Sequence, residues 1–259
     1  EAWWEHFTRV KLPFWSVYGS GGGRATKRAV ESWLDGVAPW SANRKPQDVK
    51  RYYEAGGNGV AMRVLPHVLR LGEKEFPRIA TNIFLDGIAT HGHPRALLGA
   101  LAYGFALWAA FRKDSKLVYG ELVEELIKSV DHWSALPATP NIPPEWRSQA
   151  EKSLQDYMKL WESAKAEVME YLEVCRAELS KGALSLDDDV LKKLQCFNSK
   201  ISGAGTVAAI ASVYLASRHA ADPINGVVKP AFAIGSDTDT IASMTGGLLG
   251  CINGSDWLS

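Results

Sequence analysis

The segment AIGSDTDTIASMTGGLLG, residues 233–250, places acidic and hydroxyl side chains where a predicted helix begins. Asp237 and Asp239 are separated by one residue and Thr240 follows directly, so three oxygen-bearing side chains can converge on one point. Convergent hard oxygens are the ligands that Mg²⁺ and Ca²⁺ prefer. A helix cap also explains an acid here, because a short acceptor satisfies free backbone N–H groups at a helix start. One cap would suffice, and two acids are present.

The segment GGNGVAMR, residues 56–63, is a second candidate for ligand binding. Gly57, Asn58 and Gly59 precede a predicted amphipathic helix, and they offer backbone N–H groups and an amide side chain to an anionic or carbohydrate-like ligand. A plain turn followed by a capped helix explains the same residues and is the simpler interpretation of this segment alone. Arg63 either faces the ligand or pairs on the surface.

The segment ATHGHPRA, residues 89–96, supplies two histidines close to a predicted helix start. Pro94 is a favourable first residue of a helix, so His93 lies near the N-cap and His91 projects from the loop before it. Two histidines at this spacing resemble a metal pair, but the chain offers no nearby cysteine for a zinc site. His91 therefore either forms a hydrogen bond beside a ligand or is a structural histidine.

Three consecutive acids occur in SLDDDVLKKL, residues 185–194. An acidic metal cluster is one interpretation. Acids in the first turn of an amphipathic helix are also what capping and the helix dipole favour. We assign Asp187, Asp188 and Asp189 to that structural role.

The segments that position these residues have apolar residues at helical spacing. In residues 112–200 apolar positions recur every three or four residues, which predicts a helical hairpin against the core. Its second arm is predicted as one long helix from NIPPEW to ELSKG. Two uncharged stretches, Ala96–Phe111 and Ile201–Ser217, are too short for a bilayer and are predicted as buried helices. The predicted fold class is all-α, a single orthogonal helical bundle.

Composition excludes several classes of protein. The 259 residues, 46% of them hydrophobic, predict one globular unit. Equal numbers of basic and acidic residues, 29 of each, give no net charge that would indicate nucleic acid or an anionic membrane as a partner. Cys175, Cys196 and Cys251 lie far apart, which argues against a disulfide framework. The segment EAWWEHFTRVKLPFW has no signal-peptide pattern, and we expect a cytoplasmic location.

Three segments in order, GGNGVAMRVLP, ATHGHPRALLGALAYG and AFAIGSDTDTIASMTGGLLG, resemble the ADP-ribosylglycohydrolase family, which includes the dinitrogenase reductase-activating glycohydrolases. The resemblance covers about residues 50–110 and 200–257, and we expect one domain over residues 1–259. It implies an all-α fold with a cleft that holds two Mg²⁺ or Mn²⁺ ions. It also implies release of ADP-ribose from a modified side chain, and we expect that side chain to be arginine. The expected partner is therefore an ADP-ribosylated protein or ADP-ribose.

The resemblance also implies roles for individual residues. Asp237 and Asp239 match the catalytic, metal-binding carboxylates, with Asp239 the better candidate to bridge both ions, and Thr240 matches a further metal ligand. Gly57, Asn58 and Gly59 match the loop that lines the ADP-ribose site, and His91 matches a histidine near the ribose and phosphates.

The sequence departs from the family pattern in one respect. Family members normally begin with a Gly-Asp helix and a Thr/Ser-Asp-Asp-Thr motif that supplies the other metal ligands, and this sequence contains neither. Asp237, Asp239 and Thr240 alone are too few for two six-coordinate Mg²⁺ ions. A catalytically inactive ADP-ribose-binding module is therefore the alternative to a hydrolase. A third possibility is a structural relative in which the acids only cap helices.

Overall fold

The computed structural model describes residues 2–19, 22–113, 117–137 and 142–258. These residues form α-helices and contain isolated backbone bridges but no β-strand, so the predicted all-α class is confirmed. In chain order the helices are α1 (Ala2–His6), α2 (Leu12–Tyr18), α3 (Arg24–Leu34), α4 (Pro46–Tyr53), α5 (Leu65–Leu71), α6 (Phe76–Ile88), α7 (Pro94–Phe111), α8 (Glu121–Lys128), α9 (Val130–Ser134), α10 (Pro144–Leu154), α11 (Tyr157–Leu179), α12 (Asp187–Lys193), α13 (Gly205–Arg218), α14 (Pro223–Ala231) and α15 (Thr238–Asn253). A π-helical segment, Phe7–Lys11, joins α1 to α2, and short 3₁₀ turns occur at Ala61–Arg63, Gly182–Leu184 and Asp256–Leu258.

Proline fixes where several helices begin. Pro94 opens α7, Pro144 opens α10 and Pro223 opens α14. The first turn of a helix tolerates proline because an N–H group there has no intrahelical partner. His93 is the N-cap residue of α7, and its Nδ1 accepts a hydrogen bond from the Arg95 backbone N–H at 3.1 Å. The predicted position of His93 is thus confirmed.

Helices α7 and α13 form the centre of the core and pack against each other. Every residue of α13 from Gly205 to Ser217 is buried, and α7 is buried along most of its length. Of the described helices, α7 is the one long and apolar enough to span a bilayer, yet 78% of it is buried inside the fold. Both stretches predicted as buried helices are therefore core helices.

Two glycines allow α7 and α13 to approach closely. A Cβ atom on Gly99 would lie 2.4 Å from the backbone carbonyl carbon and oxygen of Gly205. A Cβ atom on Gly205 would lie 2.6 Å from the Arg95 carbonyl oxygen. Such distances to backbone atoms leave no room for a side chain, because neither helix can shift alone within a close-packed core.

We expect Gly99→Ala to destabilise the protein by about 1–3 kcal/mol, because it forces the two central helices apart. Gly250→Ala in α15 is the control, since a Cβ atom there would meet nothing within 4 Å. That substitution should stabilise the protein by roughly 0.5–1 kcal/mol through the lower entropy of the unfolded chain. Urea unfolding measures both changes. Equal effects of the two substitutions would contradict the close helix contact.

The prediction of one long helix from NIPPEW to ELSKG is wrong, because the chain breaks between α10 and α11. Gln155 and Asp156 have positive φ angles of 45° and 56°. The Asp156 side chain accepts the Lys159 backbone N–H at 3.1 Å and so starts α11. Aspartate competes with helical hydrogen bonding in this way and tolerates left-handed backbone. After the break Tyr157 is buried, and its hydroxyl donates to the Gly92 carbonyl at 2.7 Å.

Candidate functional site

The glycine loop, residues 56–59, is bound by backbone hydrogen bonds to the start of α13. The Asn58 N–H donates to the Gly203 carbonyl at 2.9 Å, and the Gly205 N–H donates to the Gly56 carbonyl at 3.0 Å. Gly57 forms an antiparallel bridge with Ala204. The loop is thus held against a core helix.

The Asp237 side chain joins the start of α15 to this loop. Asp237 is the N-cap residue of α15, but its side chain makes no capping hydrogen bond. Its Oδ2 instead accepts a hydrogen bond from Asn58 Nδ2 at 2.7 Å. Two segments that the sequence separates by 179 residues therefore meet. Capping does not account for Asp237.

Asp239 and Thr240 follow in the first turn of α15. The Asp239 side chain is exposed, and Thr240 is buried. The pKa of Asp239 is lower than usual because the Asp237 carboxyl group hydrogen-bonds with it; burial opposes this effect and the Thr240 backbone N–H reinforces it. Asp239 is therefore ionised at neutral pH.

His91 lies directly beneath the glycine loop and is 3% exposed. A Cβ atom on Gly59 would lie 3.1 Å from His91 Cε1, and one on Gly57 would lie 3.8 Å from His91 Nε2. The Nδ1 atom of His91 is 2.8 Å from the Thr90 hydroxyl. Burial, and then the nearby charges of Arg63 and Arg28, lower the pKa of His91 to about 3. His91 is therefore neutral at physiological pH.

Two clefts flank the glycine loop. One, of about 350 Å³, lies beside Gly57 and Gly203 and is also lined by Arg95. The other, of about 780 Å³, runs from Gly59 towards aromatic residues of the π-helical segment and of α2, including Trp15. Both volumes lie within the range of small-molecule sites.

Behind the loop lies a polar network that the sequence analysis missed. Arg63 does not pair on the surface, because its Nε donates to Asp86 Oδ1 at 2.6 Å, and its side chain also lines the larger of the two clefts. His67 Nε2 is 2.8 Å from the other oxygen of Asp86. The Asp86 side chain is 6% exposed. The available signal was a single acid within FLDGI, a helical segment that is otherwise apolar.

The residues around Asp237 carry oxygen donors of the type that binds a divalent cation. There are too few of these donors to bind two ions. Asp237, Asp239 and Thr240 offer hard oxygens, and one Asp237 oxygen is already bonded to Asn58. In the part of the chain that the structure describes, no group of three or more histidine, cysteine, aspartate or glutamate side chains could hold a metal ion. Six-coordinate Mg²⁺ needs more ligands than these three residues supply to two ions. These three residues therefore fit part of the ligand set of one ion rather than the full sets of two.

The acids of residues 187–189 lie in the first turn of α12, as predicted, but they do not share one role. Asp188 and Asp189 are exposed. Asp187 is buried and pairs with Arg218 and His219, each at 2.9 Å. Its role is a buried ion pair rather than a cap, and no side-chain cap is formed at this helix start.

In this all-α protein a buried histidine, a glycine loop and two acidic side chains lie together close to helix starts. The chain belongs to the ADP-ribosylglycohydrolase family, whose model matches residues 1–259. The resemblance drawn from the three motifs is thereby confirmed. No curated protein matches this chain. Family membership supports a hydrolase that acts on ADP-ribose conjugates.

Proposed function

We propose that this protein hydrolyses the bond between ADP-ribose and a modified protein side chain, with ADP-ribosyl-arginine as the expected substrate. One observation carries the proposal: the Asn58–Asp237 hydrogen bond brings the glycine loop to the acidic start of α15. Neutral His91 lies beneath the same loop. Loop N–H groups and a histidine suit a ligand that carries phosphates and hydroxyls.

In this proposal the carboxylates of Asp237 and Asp239 act at the reacting bond. A water oxygen attacks the anomeric carbon of the ribose as the bond from that carbon to the acceptor nitrogen breaks. Asp239 takes a proton from the water, and that proton is then delivered to the departing nitrogen. The products are ADP-ribose and the unmodified side chain. The negative charge of the carboxylates also stabilises the positive charge that develops on the ribose.

We further propose that Asp237, Asp239 and Thr240 are three of the oxygen ligands of Mg²⁺, with Mn²⁺ as the alternative ion. A bound ion would orient ribose hydroxyls and polarise the attacking water. Calorimetric titration with ADP-ribose, with and without excess Mg²⁺, tests this role. Binding that requires Mg²⁺ supports it, whereas binding that is indifferent to Mg²⁺ contradicts it.

An ADP-ribose-binding module without catalysis is the second candidate function. It is favoured by the small number of metal donors among the described residues. A module of this kind would bind ADP-ribose without turnover and without a need for Mg²⁺. Incubation with an ADP-ribosyl-arginine substrate separates the two functions, because only the hydrolase releases ADP-ribose. If neither ADP-ribose nor Mg²⁺ binds, both proposals fail and a structural role remains.

Either function predicts that His91→Ala weakens ADP-ribose binding by about tenfold, the value of one lost hydrogen bond of ~1.4 kcal/mol. His132→Ala is the control because His132 is exposed on α9. Calorimetric titration of both variants measures the change. An unchanged dissociation constant in His91→Ala would remove His91 from the ligand site.

A further inference from the structure

We propose that Arg63 is a positioning residue of the candidate site: through the Thr90 hydroxyl it holds His91 as a donor, with the proton on Nε2 and facing the glycine loop. The identity of the ligand that receives this proton rests on the proposed function. The geometry of the three side chains does not.

The Arg63 guanidinium has a partner in each direction of its plane. Nη1 donates to the Gly59 carbonyl at 2.5 Å, which ties the guanidinium to the glycine loop. Nε donates to Asp86 Oδ1, and Nη2 donates to the Asp86 carbonyl at 2.8 Å. Nη2 also donates to the Thr90 hydroxyl oxygen at 2.7 Å. A planar fork with fixed donors holds such a set of acceptors in one geometry, which a lysine cannot do.

The Arg63 contact decides the direction of the bond between Thr90 and His91. A guanidinium only donates, so the Thr90 oxygen accepts from Arg63 and its own proton must find an acceptor. Thr90 is 1% exposed, and among the described residues the atom available is His91 Nδ1 at 2.8 Å. The opposite direction would leave a buried hydroxyl proton without a partner, which is costly. Nδ1 therefore accepts, and the proton of the neutral imidazole is on Nε2.

The Nε2 atom of His91 points to the underside of the glycine loop. It lies 3.5 Å from where a Cβ atom on Gly59 would be. No hydrogen-bond partner for Nε2 is found in the described ranges. Nε2 is nevertheless not fully buried, because in those ranges the fully buried side-chain polar atom without a partner is Ser217 Oγ. The Nε2–H group is therefore accessible between Gly57 and Gly59. It is suited to an acceptor oxygen, such as a hydroxyl or phosphate oxygen of ADP-ribose.

Histidine ¹⁵N spectra of the full chain, recorded without ligand, test the tautomer. Long-range ¹H–¹⁵N correlations distinguish a protonated from an unprotonated ring nitrogen, and His91→Gln assigns the resonances. We expect the Nε2–H form in the native protein. Thr90→Val removes the hydroxyl and should give a mixture of tautomers, whereas Thr90→Ser should restore the native form. An Nδ1–H form in the native protein, or an unchanged tautomer in Thr90→Val, would overturn the proposal whatever the ligand is.

Ligand binding tests the positioning role with a matched pair of arginine variants. Arg218 is the control because it also pairs with a buried aspartate, Asp187, that a histidine shares. Arg63→Lys should weaken ADP-ribose binding by at least about tenfold, equivalent to ~1.4 kcal/mol. Arg218→Lys should leave it unchanged.

The outcomes of these experiments are separable. Equal weakening in Arg63→Lys and Arg218→Lys would mean that Arg63 acts only through general stability and would overturn the positioning role. If Arg63→Lys does not fold, Thr90→Val serves in its place, since it removes the same connection while keeping the ion pair. If the native protein shows the Nε2–H form but does not bind ADP-ribose, the proposed function fails and the assignment of the tautomer stands.

Discussion

Asp239→Ala should lower the rate of ADP-ribose release by at least about a hundredfold, the typical contribution of a positioned acid–base group. The Asp239 carboxylate is exposed at the start of α15, where the neighbouring Asp237 carboxyl group is the largest cause of its lowered pKa. Its lowered pKa keeps it ionised at neutral pH, so it is available as a proton acceptor and as an oxygen ligand. Steady-state hydrolysis of an ADP-ribosylated arginine peptide, measured with excess Mg²⁺, gives the rate.

Asp188→Ala is the matched control for this substitution. Asp188 is also an exposed acid in the first turn of a helix, but it belongs to α12. If the two substitutions change the rate equally, net charge is responsible and Asp239 has no special role. A loss of less than about tenfold in Asp239→Ala would contradict the proposed catalysis, because a metal-bridging or proton-accepting group supplies several kcal/mol.

The helix starts and buried helices that form the site were predictable, because each is determined by residues close together in the sequence. Proline after His93 predicts the start of α7, and the acids of GSDTDT predict the start of α15. Apolar runs of small residues predict the buried helices α7 and α13. Each of these signals lies within one continuous segment of the sequence. The sequence therefore predicts which segments could carry chemistry.

The connections between those segments were not predictable. Asn58 and Asp237 lie 179 residues apart in the chain, and nothing in either segment specifies the other. The same holds for Arg63, whose partners come from the glycine loop, from α6 and from the turn before α7. The break after α10 was missed for a related reason. Apolar periodicity continues across it, and Asp156 starts the second helix through a local hydrogen bond that periodicity does not detect.

The same unit occurs twice in the fold and has different consequences in the two places. The buried Asp86 carboxylate contacts Arg63 and His67, which precede it in the chain. The buried Asp187 carboxylate contacts Arg218 and His219, which follow it. Through Gly59 and Thr90, the first unit touches the candidate site. The second contacts backbone carbonyls such as that of Ser185. Identical ion-pair chemistry thus contributes to the site only where it reaches the glycine loop.

Asp86→Ala should destabilise the protein by about 3–5 kcal/mol, because it leaves the Arg63 guanidinium partly buried without its carboxylate. The pair of Asp48 and Arg51, at 3.7 Å and at least one-third exposed on both sides, provides the control. Asp48→Ala should change the free energy of unfolding by less than about 1 kcal/mol. Urea unfolding at pH 7 measures both, and a cost for Asp86→Ala no larger than the control would show that the network contributes nothing to stability.

The pH dependence of the destabilisation by Asp86→Ala identifies its physical source. Burial alone would raise the pKa of Asp86, but the charge of Arg63 and the hydrogen bond and charge of His67 outweigh it and hold the pKa below its usual value. A carboxylate with a lowered pKa contributes stability above the pKa of the unfolded chain, and this contribution is lost as the pH falls through the pKa of the folded state. The difference in stability between the native protein and Asp86→Ala should therefore be present at pH 7 and shrink below about pH 4. If the difference does not change as the pH falls, the cost comes from a cavity rather than from the lost charge, because cavities do not titrate.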